Sequence, residues 1–123
     1  MKILFLGDIV GRAAREAVIN ELPTLRRDKD IDFVVVNGEN AAGGFGITET
    51  IANSIFDAGV DVITLGNHVW DQRETLTHID REPRLLRPAN YPANTPGKGA
   101  GLFTTEKGEQ VLIITVQGQL YME

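Results

Sequence analysis

Three short apolar runs, Ile3-Leu4-Phe5-Leu6, Phe33-Val34-Val35-Val36 and Val60 to Leu65, alternate with two segments of helical periodicity. This alternation limits the possible folds more than any other feature of the chain. Runs of near-continuous hydrophobicity, rich in β-branched residues, suit strands buried on both faces. Arg12 to about Asp28 repeats apolar residues at three and four (Ala14, Val18, Leu22, Leu25), with Pro23 expected to kink or end the helix early. Thr48 to Ala58 places Ile51, Ile55 and Phe56 on one side, with Thr48 as N-cap and Gly59 at the C-cap. Asp71 is the expected N-cap of a third, short helix through Ile79. Strands separated by helices imply parallel pairing with right-handed crossovers. The expected fold class is therefore α/β, a mainly parallel central sheet with helices on both faces.

The second half reads differently. Residues 81–100 carry Pro83, Pro88, Pro92 and Pro96 and are expected to be a long irregular segment. Gly101 to Thr105 and Gln110 to Val116 flank Glu106-Lys107-Gly108-Glu109, which predicts a β-hairpin. No linker divides the chain, so its 123 residues are read as belonging to one domain.

In an open parallel sheet, ligands collect outside the carboxyl ends of the strands. Polar groups fall there three times. The first run ends in Gly7-Asp8, the second in Asn37-Gly38-Glu39-Asn40, the third in Gly66-Asn67-His68. Neighbouring strands would bring Asp8, Glu39, Asn40, Asn67 and His68 to one rim. Carboxylates held close together repel, and a bound cation removes that cost. Oxygen donors of this kind suit hard or borderline divalent ions such as manganese, iron or magnesium.

Each residue has a plainer reading. Asp8 could cap the first helix, Asn67 could be a left-handed turn residue, and a lone histidine is commonly structural. Glu39 resists such an account, because glutamate after a buried strand is neither a good turn former nor a good core residue. The glycine-rich stretch Ala41-Ala42-Gly43-Gly44-Phe45-Gly46 has neither a P-loop Lys-Ser/Thr nor a GxGxxG pattern. It is read as a flexible loop beside the rim, with a phosphate cradle or substrate contact as the lesser alternative. Trp70 and Tyr91 are expected to pack, with stacking on a base as the lesser alternative.

Composition narrows the classes of function. The net charge of −5 and the thin spread of Lys and Arg argue against binding long nucleic acid. The absence of cysteine removes thiolate metal sites, disulfides and thiol nucleophiles. No run approaches transmembrane length, and Ile3 to Leu6 is too short for a signal h-region. A soluble cytoplasmic protein without membrane association is the expectation.

The ordered series Gly-Asp, Gly-Glu-Asn, Gly-Asn-His resembles the signature of the metallophosphoesterases, the calcineurin-like superfamily. More narrowly, GDIVG, NGENAAGGFGIT and GNHVWD resemble the bacterial YmdB-like phosphodiesterases, over essentially the whole chain including Asn90-Tyr91-Pro92. The resemblance implies hydrolysis of cyclic nucleotides, 2′,3′-cyclic ones included, by a hydroxide bridging two divalent ions, iron or manganese. It implies Asp8 as a first-metal ligand, Glu39 as the bridging carboxylate, Asn40 as an added ligand to the first metal and Asn67 as a second-metal ligand. His68 would be the general acid at the leaving alkoxide. The superfamily's Asp-x-His is here Asp8-Ile9-Val10, a departure that matches the narrower group. Further histidine ligands in the family come from its later half, and this chain has only His68 and His78. Residues 1–123 are accordingly expected to be the truncated N-terminal portion of a single domain, part of a four-layer α/β sandwich followed by the hairpin. An incomplete sandwich is expected to leave an apolar face uncovered. The alternative expectation is a non-catalytic fragment or a module that forms homo-oligomers.

Overall fold

A computed structural model describes residues 1–118. The three apolar runs become β1 (Ile3–Leu6), β2 (Phe33–Asn37) and β3 (Val62–Thr64), alternating with α1 (Gly11–Asp28), α2 (Glu49–Asp57) and α3 (Thr75–Arg81). β4 (Leu85–Leu86) completes a sheet of order β1-β2-β3-β4, and β5 (Ala100–Thr104) pairs with β6 (Gln110–Ile114) in a separate hairpin. All pairings in the four-stranded sheet are parallel, with Phe5 opposite Val35, Val36 opposite Ile63 and Thr64 opposite Leu86.

Successive strand residues point to opposite faces, so each apolar run supplies two cores. Leu4, Leu6, Val34, Val36, Ile63 and Leu85 pack with Val18 and Leu22 of α1, Ala52, Ile55 and Phe56 of α2, and Ile79 of α3. The other face, Phe33, Val35, Val62 and Leu86, is covered by Phe103, Val111 and Ile113 of the hairpin. The α/β class with a parallel sheet and a hairpin is as expected, but the helices lie on one face rather than both. Consecutive strands step in one direction across the sheet, and right-handed crossovers then deposit every helix on the same side.

Three local expectations are corrected. α1 does not stop at Pro23, which lies inside the helix on its exposed side. There the carbonyl that the ring leaves unpaired can meet water. The turn beyond the proline is held by Arg26, which donates to the Gly59 carbonyl, to Asp61 at 2.8 Å and to the Asp32 carbonyl at 3.1 Å. α3 begins at Thr75 with Glu74 as its N-cap and no side-chain capping bond, so Asp71 caps nothing. Finally, residues 81–100 are not wholly irregular, because Leu85–Leu86 forms β4 between two prolines. The proline-rich stretch that follows is organised around buried Arg87. Its guanidinium donates to the carbonyls of Pro88, Thr95, Pro96 and Gly97. A buried cation with its donors satisfied in this way holds a loop without secondary structure.

α2 forms as read. Thr48 accepts from the Ile51 amide at 3.2 Å, and Gly59 takes the positive φ that ends such a helix. Among the described residues, no helix is long and apolar enough to cross a membrane.

Candidate functional site

The chain leaves β1 through Gly7 and Asp8. Asp8 has φ +44°, a left-handed conformation that aspartate and asparagine adopt more readily than other residues with a side chain. Buried Ile9 follows, and its amide donates to the Asn37 carbonyl at 3.2 Å. This anchor below leaves Asp8 exposed at the carboxyl end of the sheet. Asn40, from the end of β2, donates through Nδ2 to Asp8 Oδ1 at 2.7 Å, and its carbonyl accepts from Gly11 N at 3.2 Å. The first two strand ends are thus joined side chain to side chain and backbone to backbone. Asp8 is not a helix cap, since α1 is preceded by Val10 and has no side-chain capping bond.

Glu39 stands between Asn40 and the third strand. Its backbone is turned by Asn37, whose Oδ1 accepts from the Glu39 amide at 3.1 Å, while Gly38 N donates to the Thr64 carbonyl at 2.9 Å. The carboxylate lies directly on Gly66. A Cβ at that position would sit 2.2 Å from Glu39 Oε2, so only glycine admits the carboxylate there. Glu39 Oε2 is buried and has no hydrogen-bond partner. A desolvated carboxylate oxygen without a partner is costly.

Asn67 follows Gly66 and is exposed, with a negative φ, so it is not a left-handed turn residue. His68 Nδ1 lies 2.7 Å from Asp71 Oδ2. A carboxylate that accepts from Nδ1–H fixes the ring orientation and leaves Nε2 for other work. Two successive turns, Val69 N to Gly66 O at 3.1 Å and Asp71 N to His68 O at 3.1 Å, create this three-residue reach. The glycine-rich loop closes against it. Gly46 is so near the His68 carbonyl that a Cβ would lie 2.8 Å from it, and Gln72 Nε2 donates to Phe45 O at 2.7 Å.

A further wall comes from distant sequence. Asn90 grips Gln117 by both main-chain groups, Nδ2 to the carbonyl at 2.7 Å and the Gln117 amide to Oδ1 at 3.0 Å. Tyr91 then donates to Gln117 Oε1 at 2.8 Å and lies 3.5 Å from the Gly66 carbonyl. Burial, with the nearby Glu39 charge, raises the phenol's pKa above its usual 10.

The structure therefore brings Asp8, Glu39, Asn40 and Asn67 to one rim, with His68 beside them on the same turn as Asn67. The imidazole is turned to Asp71. Among the described residues, no three His, Cys, Asp or Glu side chains form a metal-binding group by themselves. The donor set fits a hard divalent cation. It offers an exposed carboxylate on Asp8, an orphaned buried oxygen on Glu39 and two neighbouring carboxamides. Sequence reasoning misses Asp71 beside His68 and gives Tyr91 a place at the site only as the lesser alternative. His68 and Asp71 are three apart in a turn, a spacing that could have suggested the pair. Nothing local announces that the Asn90–Gln117 clamp carries Tyr91 to the rim.

Comparison with known proteins places the chain in a family and supports its fold. A family model described as YmdB-like protein matches residues 4–123. The chain is 43% identical over 122 residues to the 2′,3′-cyclic-nucleotide 2′-phosphodiesterase of Bacillus subtilis (strain 168), covering 99% of this chain and 46% of that protein. It superposes on the crystal structure of a hypothetical protein from Thermus thermophilus with TM-score 0.91 at 38% identity, covering 100% of this chain and 47% of that one. A crystal structure of a novel phosphatase from Mycoplasma pneumoniae matches with TM-score 0.85 at 33% identity, covering 96% and 43%. The chain spans about half the length of the relatives it matches.

Proposed function

The chain belongs to the YmdB-like protein family, and on that footing we propose that the protein is a metal-dependent phosphodiesterase acting on cyclic nucleotides, with 2′,3′-cyclic esters as its substrate class. The observation that carries the reading is the Glu39 carboxylate, seated on Gly66 with one buried oxygen unpaired at the meeting point of three strand ends. The name of the B. subtilis relative supports the substrate class.

Asp8, Glu39, Asn40 and Asn67 would hold two divalent cations, iron or manganese. When bound, such ions neutralise the carboxylates, polarise the phosphorus centre and lower the pKa of water. The remaining work falls to the chain. The rim orients a small phosphodiester for in-line displacement, in which a water oxygen, one of its protons released to solvent, bonds to phosphorus as one ester P–O bond breaks. His68 donates its Nε2 proton to the departing alkoxide oxygen, and Asp71 on Nδ1 stabilises the imidazolium that is poised to give it. Asn40 holds the Asp8 carboxylate in place from the side.

The test is hydrolysis of a 2′,3′-cyclic nucleotide before and after exhaustive chelation, with His68→Ala assayed in parallel. Chelation should abolish turnover, manganese should restore it, and His68→Ala should lower kcat by about 10²-fold or more. Turnover that survives both chelation and His68→Ala contradicts the proposal.

A further inference from the structure

Phe45 is 65% exposed, although it sits among residues fixed to the rim. A large aromatic side chain gains most by burial, so one held exposed on a loop tied to the rim is a candidate ligand surface. Its loop is anchored on both sides. Gly44 N donates to the Asn40 carbonyl at 2.9 Å, and the Phe45 carbonyl accepts from Gln72 at 2.7 Å. The next residue, Gly46, abuts the His68 carbonyl. Phe45 is therefore suspended between the Asn40 and His68 sides of the rim. Gly43, Gly44 and Gly46 all have positive φ, and a Cβ at Gly43 or Gly44 would meet nothing within 4 Å. The chain on the amino side of Phe45 thus has open space in which to adjust.

We propose that the Phe45 ring is the stacking platform for the base of the nucleotide substrate and so sets the preference for base-bearing phosphodiesters. The inference rests on the reading of the rim as a phosphodiester site. Every nucleobase presents a π-face, so a platform of this kind is tolerant of base identity. It contributes to holding the substrate and takes no part in bond breaking. Its loss raises KM and leaves kcat nearly unchanged.

The experiment compares Phe45→Ala and Phe45→Tyr with the native protein on two esters, a 2′,3′-cyclic nucleotide and base-free ribose 2′,3′-cyclic phosphate. Calorimetric binding of the corresponding nucleoside 3′-monophosphate supplies a readout independent of turnover. Phe45→Ala should raise KM for the nucleotide, and the Kd of the monophosphate, by about tenfold. It should leave kinetics on the base-free ester unchanged, and Phe45→Tyr should restore native values. Equal effects on both esters, or none on the nucleotide, overturn the proposal. An altered sedimentation coefficient with unaltered KM also overturns it, since the ring would then be covered by another copy of the chain. A native protein that hydrolyses neither ester instead overturns the phosphodiester reading of the rim, and the inference falls with it.

Discussion

Glu39 is the residue on which the site depends. Its carboxylate occupies the space where any larger residue at position 66 would place a Cβ, and one of its oxygens is buried without a partner. Gly66→Ala should therefore displace the carboxylate. The side chain can move aside, so the fold should survive with a near-native circular dichroism spectrum. Phosphodiesterase activity should fall at least about tenfold, on the scale expected for disturbing a metal-site shell. Asp71 offers a second check. Asp71→Asn should keep His68 near its position but weaken support for its protonated form, lowering kcat by roughly 10–100-fold with little change in KM. A change confined to KM would contradict the assigned role. At this scale the sequence is informative where chemistry is unusual for its place. Glutamate directly after a buried strand has few structural explanations, and the orphaned oxygen agrees with that reading. Asp71 is harder to read, because an aspartate ahead of an apolar helical stretch also suits an N-cap. The two readings differ only in how the intervening residues turn.

Elements follow the sequence where the pattern is long and depart where it is short or where tertiary bonds override propensity. α1 runs through Pro23 because Leu22 is buried and Arg26 ties the following turn to two loops. β4 is invisible in the sequence because two residues cannot show a period and prolines surround them. The hairpin is legible from its turn, and its placement over the sheet adds a testable tie. Lys107 in that turn lies 2.9 Å from Asp32 Oδ1, just ahead of β2. The Lys107 ammonium, and then the Lys2 amide, hold the Asp32 carboxyl below its usual range. Stabilisation from the lowered Asp32 pKa is present above pH 3.8 and is lost as pH falls through the depressed value. Lys107 is raised, chiefly by Asp32, so its part is complete below pH 10.5 and is lost only as pH rises through the elevated value. Lys107→Met should accordingly lower stability at neutral pH and flatten the loss of stability on acidification below pH 3.8. Denaturant unfolding at neutral pH and again well below that value checks this, and identical losses in the two proteins would contradict it.

Across the whole molecule, one face of the sheet is sealed by helices and the other only in part by the hairpin. Ile3 and Phe5 point to the hairpin face but remain more than half exposed, as do Leu102, Leu112 and Ile114 on the hairpin's outer side. A strand that is apolar on both faces is built to be covered on both. The 123-residue chain should therefore self-associate with increasing concentration in sedimentation velocity, and Leu112→Glu with Ile114→Lys should return it to monomer. A monomer at every concentration would contradict this reading of the face. Such exposure follows from the sandwich that the sequence motifs imply. That the helices share one side does not, because strand order, which decides it, leaves no trace in local pattern.

The proposed role of the strand-end rim is to hold, through Glu39, the divalent ions that activate a phosphodiester. Its most direct test is a calorimetric titration of the protein with manganese beside that of Glu39→Gln, whose fold is verified by circular dichroism. We predict that Glu39→Gln weakens manganese binding by roughly 10–100-fold while leaving the spectrum unchanged. Equal affinity in the two proteins would place the ions elsewhere and contradict the assignment of the rim.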